Sequence, residues 1–223
     1  MCGRYELSSH PTAIALAFGL AHVPDLEPHY NIAPTQRVPI VRLDASGARE
    51  LVEVKWGLVP RWARDPSIGG RLFNARAETV AQKAAFRAAY ARHRCLVPAN
   101  AFYEWQVRPG GKQPLHIGMP DDAPFGIAGL FERWRSSTDE VLDTCTIITT
   151  DANEALRPIH DRMPVILPPA SYARWLDATN ADVADLLVPW SGPELNVYAV
   201  STRVNRAEND DAGVREPIQA SLL

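Results

Sequence analysis

Cysteine is scarce in this chain: Cys2, Cys95 and Cys145 are the whole complement among 223 residues, and no C-x-x-C pair occurs. An odd, scattered set excludes a disulfide framework and a cysteine-built zinc site, so any thiol chemistry falls to one residue acting alone. Long apolar runs are missing as well. The best candidate, Ala13 to Val23, is broken by Gly19 and His22, far short of the ~20 residues of a membrane span. Arg4 and Glu6 stand where a secretory signal would need its apolar stretch, and a cytoplasmic protein is expected. Lysine is nearly absent too, with 20 of the 23 cationic residues being arginine. Repeats and low-complexity tracts are lacking, which excludes solenoids and disordered arrays.

What is present is an average globular composition, 46% hydrophobic and 22% charged, sufficient for one core and one domain over residues 1–223. The net charge of −3 conceals an asymmetry: residues 1–110 are net +5, residues 111–223 net −8, and the window 55–94 is net +7. A basic groove on an acidic protein fits that distribution, and the planar arginine fork suits phosphate. A solvated basic face is the plain alternative.

Strand signals fall at 38–41 and 51–56 around an Asp44-Ala45-Ser46-Gly47 turn, and again at 95–97, 115–117, 126–131, 144–150, 164–167 and 197–200. A short helix capped at Ser9 and closed by Gly19 is predicted, with another from Thr79 to about Arg92 and a third around Tyr172–Leu176. Residues 59–66 read as a loop too rich in proline and charge to enter the core. Many short strands without regular strand–helix alternation indicate an α+β fold: an antiparallel sheet or open barrel-like core with about three peripheral helices.

Cysteine directly follows the initiator methionine. If Met1 is removed, Cys2 carries an amine and a thiol on adjacent carbons, and the pair can trap an aldehyde. The amine forms an imine and the thiol closes a five-membered thiazolidine, an intramolecular step with an effective molarity of about 10⁵–10⁸ M. Position 2 alone says little, but further segments surround it: Met1 to Tyr5, Tyr30-Asn31-Ile32-Ala33-Pro34, Leu72 to Thr79, Pro98 to Trp105, Thr149 to Asp151, Ile159 to Pro164 and, more loosely, Val200 to Asn205.

In order and spacing these blocks resemble the SRAP family, the SOS response-associated peptidase or abasic-site processing proteins. The resemblance implies capture of the ring-opened aldehyde of an abasic site in single-stranded DNA, with possible lyase and autoproteolytic activity and no cofactor or metal. It assigns the crosslink to Cys2, a hydrogen bond to the sugar and new ring to Asn74, proton handling near the Cys2 amine to Glu104, and acid–base work on the sugar hydroxyl to His160. It places Arg4, Arg76 and Arg162 on phosphates and Trp62 against the strand, with Asn31, Pro34, Trp105 and Thr149 also along the nucleic acid. A monomer working in the cytoplasm, nucleoid-associated when bound to DNA, is the matching expectation.

Each residue also has a plain reading: Asn74 as a turn or cap residue, Glu104 on a strand facing solvent, His160 in the core, Arg76 paired with Glu78, Trp62 packed onto the body. Three other functions compete. An N-terminal-nucleophile amidotransferase also begins Met-Cys-Gly, but the Asn-Gly element of its oxyanion hole occurs nowhere in the chain. A cysteine peptidase and a non-catalytic single-strand binder remain open.

Overall fold

The computed structural model describes residues 2–218. Thirteen strands and three α-helices are found among them. The strands are β1 (Tyr5–Leu7), β2 (His29–Ile32), β3 (Arg37–Leu43), β4 (Arg49–Trp56), β5 (Asn74–Arg76), β6 (Arg94–Ala99), β7 (Ala101–Arg108), β8 (Gly111–Gly118), β9 (Phe125–Arg135), β10 (Val141–Asp151), β11 (Arg162–Pro164), β12 (Ile166–Leu167) and β13 (Asn196–Ala199). The helices are α1 (Pro11–Phe18), α2 (Arg87–Arg92) and α3 (Tyr172–Leu176). The α+β architecture expected from the pattern of elements is the one observed, and no helix among the described residues is long and apolar enough to cross a membrane.

One sheet runs in the order β13-β8-β7-β1-β2. The other closes on itself: β4 pairs β3, β3 pairs β6, β6 pairs β9, β9 pairs β10, and β10 returns to β4. That ring is barrel-like and antiparallel except at its β10–β4 seam. Ile40, Val54, Leu96, Ile127 and Ile147, one from each strand of the ring, are buried in a single apolar cluster. Closure leaves no long edge exposed on the ring.

A corner between the two sheets lies at Asn100, the one residue between β6 and β7. Its buried side chain accepts from the backbone N–H of Ser8 and Ser9, both at 3.0 Å, and donates to Ser9 Oγ and Asp122 O, both at 2.7 Å. Four hydrogen bonds from one amide are its full capacity, and they fix the direction in which β7 leaves the barrel.

The β3–β4 hairpin forms as predicted, with Asp44 Oδ1 accepting from the backbone of Ser46 and Ala48. Three local expectations change. Helix α1 is capped by His10, whose Nδ1 accepts from Thr12 N at 3.2 Å, while the Ser9 hydroxyl accepts from Asn100 Nδ2. The predicted helix from Thr79 is broken into turns until α2 begins at Arg87. Val80 and Phe86 are both buried in the core cluster, and six helical residues would set them about 120° apart around one axis, so the chain must bend between them. Finally, residues 59–66 do contribute to the interior: Val59 and Ala63 are buried with Trp134, whose indole donates to Ala63 O, while Arg61 and Arg64 stay outside. This loop is anchored where Gly57 meets Gly69. A Cβ on Gly57 would lie 2.6 Å from the Gly69 carbonyl oxygen, and its φ of +135° excludes most other residues.

Candidate active site

Cys2 precedes β1 and is fully buried. Its carbonyl oxygen accepts from Asn74 Nδ2 at 2.7 Å, and its Sγ lies 3.8 Å from Arg4 O. Burial, and after it the charge of Glu104, pushes the thiol well above its ordinary range. The thiol is therefore neutral in the resting site.

Asn74 opens β5, which lies parallel to β10 with Asn74 opposite Ile147. Next to it, Phe73 O accepts both the Trp56 indole N–H and the Ile147 amide, so the segment cannot slide. The Asn74 Oδ1 is buried and has no hydrogen-bond partner among the described residues. An acceptor left in that condition is costly unless a ligand answers it.

Glu104 arrives from the other sheet. Strand β7 pairs with β1 through Tyr5 and Phe102, and Tyr103 N donates to Arg4 O at 3.0 Å, which sets Glu104 beside the chain at Cys2 and Gly3. The carboxylate is 3% exposed, so the solvent-facing reading fails. Burial raises its pKa, opposed in part by the charge of His160. His160 lies on the turn between β10 and β11, where its N–H closes onto Leu156 O at 3.0 Å. Its Nδ1 is 2.9 Å from the backbone N–H of Arg162 and 2.9 Å from Asp161 Oδ1. The four candidates, 158 positions apart at the extremes of the sequence, thus form one constellation: a thiol, an amide, and two proton-exchanging groups.

The proposed nucleic-acid contacts divide. Arg76 is exposed, Arg4 is half-buried with Nη1 donating to Gly3 O and Nη2 to Asn205 O, and among the described residues neither forms an ion pair. Trp62 is 60% exposed, and its indole N–H donates to Ala84 O at 3.3 Å. Pro34 is half-buried beside Thr35, which has a φ of +77°. Trp105 leans on the cluster of Tyr103 and Val204 and donates to Asn205 Oδ1 at 2.7 Å.

Asn31 and Thr149 are both fully buried, and each side chain also serves the fold. Asn31 Nδ2 lies within hydrogen-bond distance of the carbonyls of Val204, Arg206 and Asn209, tying down the C-terminal segment, and Thr149 Oγ1 donates to Ala75 O. Arg162 is not an open cation. Its side chain is 11% exposed and held by Glu78, Asp151 and the Thr149 carbonyl. Glu78 takes Arg162 rather than Arg76.

Sequence reasoning missed the clamp that shapes the site wall. Asp210 Oδ1 accepts from Tyr30 N and Asn31 N at 2.6 and 2.7 Å, and Arg215 pairs with the buried Glu6 at 2.8 Å. These contacts span 179 to 209 residues, and nothing in local composition signals them.

Comparison with known proteins now adds a family. The family model described as SOS response associated peptidase (SRAP) matches residues 1–207. The abasic site processing protein YoqW of Bacillus subtilis is 41% identical over 94% of this chain and 96% of its own length. The abasic site processing protein HMCES of Gallus gallus is 34% identical over 87% of this chain and 68% of its own length. Among solved structures, a Bacteroides thetaiotaomicron protein superposes with a TM-score of 0.85 at 27% identity, covering 98% of this chain and all of the other. By its sequence from residue 1 to 207 and by its fold, this chain belongs to the SRAP family.

Proposed function

We propose that the protein processes abasic sites in single-stranded DNA by capturing their aldehyde on Cys2 after Met1 has been removed. Met1 itself lies outside the described residues. The observation that carries this reading is the convergence of Asn74, Glu104 and His160 on Cys2, together with relatives named for abasic-site processing.

The chemistry balances as a condensation. His160 moves a proton at the sugar hydroxyl, opening the ring to the aldehyde. The Cys2 amine attacks the aldehyde carbon, and the carbinolamine loses its oxygen as water to give an iminium. The Cys2 sulfur then adds to the same carbon, so that one C–N and one C–S bond replace the C=O and a single water leaves. Since the thiol is held neutral, its proton must depart as sulfur attacks, and Glu104 is the adjacent acceptor. A carboxylate raised by burial exchanges protons closer to neutrality than an exposed one, as a general base should. The Asn74 amide holds the Cys2 carbonyl and turns its unfilled Oδ1 toward the place where the new ring N–H forms. Arg4, Arg76 and Trp62 hold the flanking strand, and the protein acts as a monomer on nucleoid DNA.

The test is intact mass. Protein lacking Met1, incubated with abasic single-stranded DNA, is expected to gain the oligonucleotide mass less one water in a heat-stable adduct. Cys2→Ser keeps the amine but cannot close the ring, leaving a hydrolysable imine. Equal heat-stable adduct from Cys2→Ser would defeat the thiazolidine assignment. Peptide cleavage, which the family description names, is read in the same spectra: it is confined in this proposal to release of residue 1.

A further inference from the structure

Arg108, at the far end of the strand that carries Glu104, belongs to none of the contacts above. Side chains alternate along a strand, so Glu104, Gln106 and Arg108 of β7 share one face while Tyr103, Trp105 and Val107 take the other. From Glu104 to Arg108 is four residues, about 13 Å of strand.

Gln106 joins this row to the His160 turn. Its Nε2 donates to Pro158 O at 3.3 Å, and its Oε1 accepts from Arg108 Nε at 2.8 Å. The guanidinium is thereby aimed, with its two terminal nitrogens left without a partner among the described residues. That pair is the bidentate edge that matches a phosphate. No Asp or Glu occurs between residues 105 and 120 to compete for it. Opposite Arg108 in the ladder stands Gly111, and a Cβ on Gly110 or Gly111 would meet nothing within 4 Å. The space beside the guanidinium is therefore open. The turn is made by Pro109 and two glycines at φ +90° and +145°.

We propose that Arg108, aimed by Gln106, is a phosphate subsite for the DNA strand as it leaves the reactive centre along β7. This deepens the functional reading above and rests on it. Two tracks then diverge from Cys2: one leads from Asn74 to Arg76 along β5, the other from Glu104 through Gln106 to Arg108. Each serves one flank of the abasic nucleotide.

The experiment uses single-stranded oligonucleotides carrying a tetrahydrofuran abasic analogue, which has no aldehyde and binds without crosslinking. Length on one side is held fixed while the other is trimmed stepwise to nothing. Arg108→Ala is expected to weaken binding several-fold on full-length strands and to lower the salt slope by about 0.7, the value for one phosphate on a single strand. The deficit should vanish when one particular flank is trimmed away and persist when the other is. Arg76→Ala should show the opposite flank dependence. Gln106→Ala should reproduce part of the Arg108 deficit, and Arg108→Lys should restore the salt slope more than the affinity. Wild-type binding by Arg108→Ala, or a deficit indifferent to both flanks, overturns the subsite while leaving the functional reading in place, provided the wild type still crosslinks. A wild type that neither binds these strands nor forms adduct overturns both.

Discussion

The side-chain amide of Asn74 donates to the carbonyl oxygen of Cys2 at 2.7 Å, while its own Oδ1 is buried with no partner among the described residues. The amide thus holds the N-terminal segment with one end and offers a vacant acceptor with the other. Two substitutions separate these duties. Asn74→Asp keeps the shape and an acceptor but loses the donor, and Asn74→Ala loses both. Each should slow adduct formation in single turnover, with Asn74→Ala slower, and noncovalent affinity for single-stranded DNA should change little. Rates equal to the wild type in both would leave Asn74 as a β5 residue of structural value only.

Glu104 links catalysis to stability. Burial raises its pKa above the ordinary 4.5, so in the pH range between that value and the raised one the native state holds a proton that the unfolded chain has released. Stability therefore falls as pH rises through this range, by ~1.4 kcal/mol for each unit of elevation, and the loss is complete above it. Glu104→Gln removes the titration. The variant should be more stable than the wild type at pH 7 to 8 and should lose that advantage below about pH 4.5. Urea midpoints across pH measure this directly. The same variant should form adduct more slowly, and a gain in stability with unchanged rate would strip Glu104 of its proposed role.

Arg162 can reach a phosphate only by leaving Glu78 and Asp151. Its hydrogen bond to Glu78 is the main reason that carboxylate titrates below its ordinary range. The pairing therefore stabilises the fold above the usual glutamate pKa, and the stabilisation disappears as pH falls through the lowered value. Arg162→Ala should cost about 1–3 kcal/mol at neutral pH, from hydrogen bonds between charged groups and the loss of the donor to Thr149 O. Part of that cost should be gone at low pH. Glu78→Gln tests the competition: single-stranded DNA should bind more tightly at low salt, because Arg162 is released. Weaker or unchanged binding by Glu78→Gln would mean that Arg162 serves the fold alone.

Much of the fold is legible in the sequence where local rules suffice. The β-branched run 144–150 and the Asp44 to Gly47 turn carry their own signals, and both form. The helix predicted from Thr79 fails because Val80 and Phe86 each answer to the core rather than to a common helix face. Asn31 and Thr149 were placed along the DNA, yet what they hold is distant in sequence. Asn31 binds carbonyls about 175 residues away, a relation that no window of local sequence contains. Cys2, Asn74, Glu104 and His160 are singled out on different grounds: their roles are implied by the resemblance of the segments that bear them, not by composition or periodicity. The wall built by Asp210 and Arg215 has no such signature.

The last prediction concerns His160, whose Nδ1 stands 2.9 Å from two groups with opposite demands. The backbone N–H of Arg162 requires a lone pair on Nδ1, whereas the Asp161 carboxylate requires a proton there. Neutral His160 is suited to the first contact and carries its proton on Nε2, able to donate it. Once protonated on both nitrogens it must give up the Arg162 bond, and Asp161 then holds the imidazolium. Asp161 is therefore a positioning residue for the imidazole. His160→Ala should slow ring opening and adduct formation by about 10²–10⁴-fold, the range for a general acid or base. Asp161→Asn should slow them far less, because its side chain is 85% exposed and water screens the pair. Noncovalent DNA affinity should remain at the wild-type level in both variants. Wild-type single-turnover rates in His160→Ala, with folding verified, would reduce the site to a reactive Cys2 in a passive groove.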